Sequence, residues 1–180
     1  MMTRFAIGLI FTASVAGADC PPQPDIQEAQ DRILAQVRVA PNEMAARQLS
    51  NGLWELWAKA PDTEAQELLD RGMAARAIAN YDLAIEALDA LIEYCPEYSE
   101  GYNQRAFVNF LRQDFDVALV DLDRALDLRP THVAALAGKA LTLIGLGRDD
   151  DAQPVLREAL ALNPWLSERR FLIEPDATDL

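Results

Sequence analysis

Few side chains in this sequence are of the types that carry out catalysis or bind metals. The 180 residues include two cysteines, Cys20 and Cys95, and one histidine, His132. Two distant cysteines and one histidine do not give the ligand spacing of a zinc site. The sequence also has no H-E-x-x-H, G-x-S-x-G or glycine-rich phosphate-binding motif. We therefore predict no enzyme activity, no cofactor and no metal site, and we expect His132 to cap a helix or to face solvent.

The formal net charge of −13 restricts the partners that the chain can bind. Nucleic acids and anionic bilayers are negatively charged, so we expect neither to be a partner. Three consecutive aspartates at 149–151 are of the type that binds calcium, but they lack the alternating ligands and closing glutamate of a calcium loop. At the start of a predicted helix, these carboxylates instead offset the helix dipole.

The first 18 residues have the pattern of a secretory signal peptide. Arg4 precedes an apolar stretch at 5–15, and residues 16–18 form an A-x-A cleavage site. The apolar stretch is too short for a membrane anchor. We expect cleavage after Ala18, with export to the periplasm of a Gram-negative bacterium or secretion. The alternatives are a buried N-terminal helix and a lipid attached to Cys20.

Export changes what the two cysteines are expected to do. In an oxidising compartment, a single pair such as Cys20 and Cys95 is expected to form a disulfide. Closing a loop of this size stabilises a fold by ~4 kcal/mol in the chain-entropy description. Two free thiols or a redox-active pair are the alternatives, and the absence of a C-x-x-C motif disfavours the redox pair.

A 34-residue repeat organises the elements that must position any binding surface. Prolines stand at 96, 130 and 164, each 34 residues from the next. Within each period, small residues recur at two places and a large apolar residue recurs at a third. The small positions are Gly72, Ala106 and Ala140, then Ala84, Ala118 and Ala152, and the large positions are Leu88, Leu122 and Leu156.

This period and pattern resemble the tetratricopeptide repeat, whose signature runs W-x2-L-G-x2-Y, A-x3-F, P. The stretches YNQRAFVNFLRQDFDVALVDLDRALDLRP and LAGKALTLIGLGRDDDAQPVLREALALNP are similar to members of that family over their whole length. The resemblance implies antiparallel helix pairs, with small residues where paired helices touch and large residues between successive pairs. The expected fold class is all-α, an α-solenoid of three clear repeats preceded by a degenerate hairpin.

Four segments are predicted along the chain. They are a signal peptide at 1–18, an N-terminal segment and helical hairpin capping the stack at 19–64, three repeats at 65–98, 99–132 and 133–166, and a C-terminal cap with an acidic tail at 167–180. Within the hairpin, Asp25 and Glu28 have the spacing of a capping arrangement at a helix start. Trp54 and Trp57 are expected in its second helix as core residues, with at least one packed against the first clear repeat.

In this family, the first helix of each pair lines a concave groove that commonly receives an extended peptide or a helix of another protein. Carried over position by position, the resemblance predicts a partner-binding groove of Leu69, Met73, Arg76, Asn103, Phe107, Phe110, Ala137, Leu141 and Ile144. Some relatives clamp a peptide's C-terminal carboxylate there with lysine, asparagine and arginine. Only the asparagine type is present here, at Asn103, which argues against capture of that kind. The alternative is that flanking segments fill the groove and make its apolar members core.

These features predict an exported protein–protein interaction scaffold or adaptor that presents a largely apolar groove to a peptide or protein. The competing prediction is a structural or assembly subunit of a cell-envelope complex, whose groove is filled by its own ends or by a second copy. Neither prediction involves nucleic acid, a cofactor or stable insertion of the mature chain in a membrane.

Overall fold

The computed structural model describes residues 20–173, which fold into eight α-helices and a short 3₁₀ helix. The helices span Gln27–Arg38 (α1), Glu43–Trp57 (α2), Thr63–Ala77 (α3), Tyr81–Tyr94 (α4), Ser99–Leu111 (α5), Phe115–Leu128 (α6), Val133–Gly145 (α7) and Asp149–Leu162 (α8), and the 3₁₀ helix spans Ser167–Phe171. Residues 20–173 contain no strand, so the predicted all-α fold is confirmed. The predicted signal peptide and the last seven residues of the predicted tail lie outside the described residues.

Helices α3 to α8 form three hairpins that follow one another along the chain. Helix α3 pairs with α4, α5 with α6 and α7 with α8, and successive hairpins meet through α4 with α5 and through α6 with α7. The second helix of each hairpin ends two residues before Pro96, Pro130 or Pro164. These ends follow from sterics, because the residue before a proline is disfavoured in helical backbone. The predicted solenoid of hairpins is therefore confirmed.

Each of these hairpins turns through one residue with left-handed backbone. Ala79, Gln113 and Gly147 have φ angles of 58°, 65° and 69°. In the first turn, the N–H of Asn80 donates to the carbonyl of Ala75 at 2.9 Å, and equivalent bonds occur in the other two turns. This bond satisfies a carbonyl at the C-terminal end of the helix. Glycine adopts the left-handed conformation without strain, but only the third turn has one.

The recurring small and large residues lie between the helices, as the repeat pattern predicts. The three alanines of the second small position are 0% exposed, and the three recurring leucines are at most 3% exposed. Gly72 illustrates why one position must be small, because a Cβ added there would lie 2.7 Å from Cγ of Leu88. Interior packing of this density leaves no room for an extra carbon atom unless a neighbour moves.

The N-terminal hairpin, formed by α1 and α2, packs against the third repeat. Helix α1 contacts α8. Leu34 of α1 and Leu53 of α2 share one apolar cluster with Val133 of α7, and Leu162 and Leu166 pack against that cluster. This placement differs from the cap on the first repeat that we expected. The physical reason is that docking on the third repeat removes the apolar face of the hairpin from water.

Hydrogen bonds between distant residues hold this hairpin in position. Gln30 Nε2 donates to Thr131 Oγ1 at 2.6 Å, and Trp57 Nε1 donates to Gln30 Oε1 at 2.7 Å. Tyr98, the last residue of the first clear repeat, donates its hydroxyl to the carbonyl of Trp57 at 2.7 Å. The Trp57 ring stacks on His132 with centroids 4.1 Å apart. Trp57 is thus a core residue that contacts the first clear repeat through its carbonyl and the second through its ring.

The predicted capping arrangement at the start of α1 is not formed, because the N-cap residue is Ile26, which makes no side-chain capping bond. Asp25 Oδ1 accepts a hydrogen bond from the N–H of Gln27 at 2.9 Å. The carboxylate of Glu28 instead pairs with Arg32 at 2.8 Å. The reciprocal bond of a capping box is therefore replaced by an ion pair one helical turn further along.

A disulfide joins Cys20 to Cys95, as the sequence predicts, with Cα atoms 5.2 Å apart. Cys95 follows the last residue of α4 and is 1% exposed. The segment that precedes α1 is therefore tied covalently to the first clear repeat. The N-terminal hairpin is consequently held at both ends of the stack, by the disulfide and by its packing on the third repeat.

Candidate partner-binding cavity

An apolar cavity of about 280 Å³ lies between α2 and the first helices of the second and third repeats. One wall is formed by α2 with Leu53, Trp54 and Trp57. The opposite wall is formed by α5 and α7, and its lining includes Asn103, Phe107 and Phe110, then Ala137, Leu141 and Thr142. We call this space the α2–α7 cavity. Because the N-terminal hairpin supplies one wall, the cavity exists only while that hairpin is docked.

The structure brings together the predicted groove residues of the second and third repeats except Ile144, but not those of the first. The members that line the α2–α7 cavity are Asn103, Phe107, Phe110, Ala137 and Leu141. Leu69 is fully buried in the core of the stack, and Met73 packs against that core. Arg76 lies beside the cavity, and Ile144 is half-buried outside its lining. The reason for the split is that α2 lies over α5 and α7.

Two large aromatic side chains of the α2–α7 cavity remain partly exposed. Trp54 is 42% exposed and Phe107 is 44% exposed. Trp54 makes an edge contact with Trp57, with ring centroids 5.6 Å apart. The guanidinium of Arg76 lies 4.6 Å from the centroid of the Phe107 ring. Aromatic surface of this size contributes strongly to association when a partner covers it.

The carboxylate of Glu100 is fully buried beneath this surface. It accepts hydrogen bonds from Asn103 Nδ2 at 3.1 Å, from Gln104 Nε2 and from His132 Nε2 at 2.9 Å. A buried carboxylate is costly unless donors surround it, and here three side chains provide them. Arg76 adds a bond to Gln104 Oε1, and burial lowers the pKa of the Arg76 guanidinium. The side chain of Asn103, a predicted groove residue, is therefore held in place by its hydrogen bond to the buried Glu100 carboxylate.

His132 belongs to the same network and caps α7. Its Nδ1 accepts a hydrogen bond from the N–H of Ala135 at 3.3 Å, so the proton that bonds Glu100 is on Nε2. Helix capping was one of the two predicted roles, and the other, solvent exposure, is excluded because His132 is 0% exposed. With Trp57 stacked on its ring, His132 connects the N-terminal hairpin to the repeats.

Among the buried polar residues that sequence reasoning missed are Glu100, Gln104 and Gln30. A signal existed for the first two, because Glu100, Asn103 and Gln104 are spaced i, i+3, i+4 and so share one helix face. No local signal marks Gln30. Its hydrogen-bond partners, Trp57 and Thr131, lie 27 and 101 residues away along the chain.

The chemistry of the α2–α7 cavity suits the binding of an apolar group. Its polar lining includes the amides of Asn103 and Asn163 and the hydroxyl of Thr142. That hydroxyl is buried and has no hydrogen-bond partner among residues 20–173. The same described residues hold no group of three or more His, Cys, Asp or Glu side chains placed to bind a metal ion. Association here would be driven by burial of apolar surface.

The sequence is similar to proteins that carry tetratricopeptide repeats. A family model described as the tetratricopeptide repeat matches residues 110–165. A TPR repeat-containing protein of Rhizobium etli is 33% identical over 89 residues, which cover 49% of this chain and 38% of that protein. Tetratricopeptide repeat protein 36 of Homo sapiens is 30% identical over 129 residues, which cover 68% of each chain. The chain thus spans well under half of the Rhizobium relative and about two thirds of the human one.

Solved structures show the same fold at low sequence identity. The first TPR of Spaghetti (RPAP3), bound to the HSP90 peptide SRMEEVD, has a TM-score of 0.58 at 22% identity, covering 59% of this chain and 85% of that one. A mutant form of MamA has a TM-score of 0.52 at 24% identity, covering 77% of this chain and 98% of that one. Together with the 34-residue period, the stacked hairpins and the human relative, these similarities show that the chain belongs to the tetratricopeptide repeat family.

Proposed function

We propose that this protein is an exported interaction adaptor that binds a peptide or protein partner in the α2–α7 cavity. One observation carries the proposal: an apolar cavity opens between α2 and α5/α7, and two of its lining aromatics, Trp54 and Phe107, are left more than 40% exposed. The predicted groove residues Asn103, Phe110 and Leu141 belong to the same lining. Structural neighbours are named as complexes with HSP90 and HSP70 peptides, which supports peptide binding by this fold.

Periplasmic export is part of the same proposal. Its support is the signal-peptide pattern of residues 1–18 and the disulfide between Cys20 and Cys95, a bond that persists in oxidising compartments. Within residues 20–173, no helix has both the length and the apolar character needed to cross a bilayer. We assign no catalytic role to the mature protein, because its cavity is lined mainly by apolar side chains.

A second candidate function follows from the position of the N-terminal hairpin. Helix α2 already covers part of the surface of α5 and α7, as expected for a structural or assembly subunit whose groove is filled by its own ends. Light scattering on the protein lacking residues 1–18 distinguishes these functions from a groove filled by a second copy. A monomer is expected for the adaptor and for a groove filled by the chain's own ends, whereas a dimer that Phe107→Ala dissociates favours an assembly subunit whose groove is filled by a second copy.

Selection of displayed peptides tests the adaptor function while the natural partner is still unidentified. A library of random dodecapeptides on phage would be panned against the wild-type protein, Phe107→Ala and Val120→Ala. Val120 is a suitable control because it is 68% exposed on α6, outside the cavity lining. Wild type and Val120→Ala are expected to enrich the same peptides, which Phe107→Ala fails to retain. Equal retention by all three proteins would remove the cavity from the binding site, and thermal unfolding would verify that each variant is folded.

A further inference from the structure

The rim of the α2–α7 cavity carries an acidic group that forms no ion pair with a basic side chain of residues 20–173. Among the lining residues described between positions 20 and 173, Glu168 is the one with an ionisable side chain. Its Oε2 accepts a hydrogen bond from Ser167 Oγ at 3.2 Å. Within that same range, no lysine, arginine or histidine forms an ion pair with Glu168. The carboxylate is therefore available to a charged ligand.

The arginines that follow Glu168 have other partners. Arg169 forms an ion pair with Glu43 at 3.1 Å, at the start of α2. The guanidinium of Arg170 lies 4.8 Å from the centroid of the Phe171 ring. Both contacts leave the carboxylate of Glu168 without a cation from its own 3₁₀ helix.

Within residues 20–173, two arginines contact lining residues: Arg169 donates to the carbonyl of Leu166 at 3.4 Å, and Arg76 lies over the ring of Phe107. Arg76 does not itself line the cavity. Its guanidinium bonds Gln104, and the charge of the buried Glu100 carboxylate acts on it. This positive charge is therefore offset within the protein, whereas the negative charge of Glu168 is not. The formal net charge of the whole chain is −13, so its overall field also attracts cations.

We propose that the α2–α7 cavity binds one large apolar side chain of a peptide that carries a lysine or arginine beside it. The proposal rests on the proposed function and specifies the chemistry of the partner. A dry cavity of ~150 Å³ accommodates benzene, so a cavity of about 280 Å³ has room for a phenylalanine, leucine or methionine side chain. The neighbouring cation would pair with Glu168 and lie near the exposed ring of Trp54, since aromatic faces attract cations. Such a ligand has the opposite charge to the peptides named for the structural neighbours, SRMEEVD and SGPTIEEVD.

Three blocked nonapeptides test the sign of this preference. Each has a central phenylalanine between two identical residues, which are lysine, glutamine or glutamate, with Gly-Ser-Gly at both ends. Binding to the protein lacking residues 1–18 would be followed by NMR at the indole N–H of Trp54, which suits weak ligands. The matched variants are Glu168→Gln and Glu158→Gln, since Glu158 is an exposed glutamate of α8 outside the cavity lining. A lysine peptide with alanine in place of phenylalanine controls for binding by charge alone.

The expected order of affinity is lysine, then glutamine, then glutamate, with about two- to fivefold between lysine and glutamine, as for one partly exposed ion pair. Glu168→Gln should abolish this preference, and Glu158→Gln should keep it. Equal binding of the three peptides would overturn the inference but leave the proposed function in place. A preference for glutamate, or a lysine preference that survives Glu168→Gln, would also overturn it.

Two further outcomes would count against the inference. If none of the three peptides binds, the inference fails, and the displayed-peptide selection then decides separately whether the proposed function fails too. If the protein forms a dimer that Phe107→Ala dissociates, the cavity is occupied by a second copy, and the inference is wrong.

Discussion

The three repeats and the N-terminal hairpin are held in place by different kinds of contact. Within the repeats, each helix packs on its neighbour in the chain, and alanines and leucines at fixed spacing fill the seams. The N-terminal hairpin instead bonds residues more than 100 positions away, since Gln30 donates to Thr131 at the end of the second repeat and Ser50 accepts from Asn163 in the third. A covalent bond to Cys95 fixes its other end.

This difference separates the stability of the protein from its candidate function. The seams of the stack bury apolar side chains, which is the largest favourable contribution to folding. The α2–α7 cavity depends on the docking of the N-terminal hairpin, which combines one apolar cluster with a few buried hydrogen bonds, one ring stack and one disulfide. We therefore expect that changes in the seams will unfold the molecule, and that changes at the hairpin will open the cavity while the repeats stay folded.

The largest effect is expected from Leu88→Ala, in the seam of the first clear repeat. Leu88 is 1% exposed, and its truncation leaves a hole that the surrounding helices fill incompletely. Such a change costs about 2–5 kcal/mol of the free energy of unfolding. Denaturant unfolding would measure it, with Val120→Ala as an exposed apolar control expected within about 0.5 kcal/mol of wild type. Similar losses in both variants would contradict the seam assignment.

A smaller and more local effect is expected on removing the disulfide with Cys20→Ala and Cys95→Ala. Disulfide loss typically costs about 2–4 kcal/mol, mainly because the unfolded chain gains freedom. Here the loss should fall on the docking of α1 and α2, since Cys20 precedes α1. Hydrogen exchange should accelerate in α1 and α2 and change little in α5 and α6. Reduction of the wild-type protein should reproduce this pattern, and uniform acceleration over all helices would refute it.

The contrast between the repeats and the N-terminal hairpin also explains how much of the structure could be predicted from the sequence. The hairpins were predicted from the spacing of Pro96, Pro130 and Pro164, and the burial of Leu88 and its equivalents confirmed the seams. Both could be predicted because contacts in a solenoid are local and recur in every repeat. The docking of the N-terminal hairpin could not be predicted, because one chain gives no sign that Gln30 faces Thr131. Five of the nine predicted groove residues consequently line the cavity, whereas Leu69 is buried in the core of the stack.

A third test of the contrast is Gln30→Ala, at the centre of the hairpin interface. Gln30 is 0% exposed and bonds both Trp57 and Thr131, so truncation leaves the indole N–H of Trp57 without its acceptor. An unsatisfied buried donor costs about 1–3 kcal/mol. Hydrogen exchange should again accelerate in α1 and α2, and the exposed Gln36→Ala on the same helix should leave exchange unchanged. An effect of Gln36→Ala as large as that of Gln30→Ala would contradict the assignment of the loss to the buried hydrogen bonds of Gln30.

The smallest effects are expected at the turns within the repeats, and they should have opposite signs. Gly147 has a φ of 69° and no atom within 4 Å of an added Cβ, so Gly147→Ala should lose about 1 kcal/mol through backbone strain alone. Ala79 has a φ of 58° at the equivalent position, so Ala79→Gly should relieve strain and gain up to about 1 kcal/mol. Denaturant unfolding of both variants would measure the two changes against wild type. A loss of stability in both would mean that the freedom which glycine adds to the unfolded chain outweighs left-handed strain at Ala79. The predicted opposite signs would instead show that the equivalent turns share one backbone requirement, which glycine meets only in the third repeat.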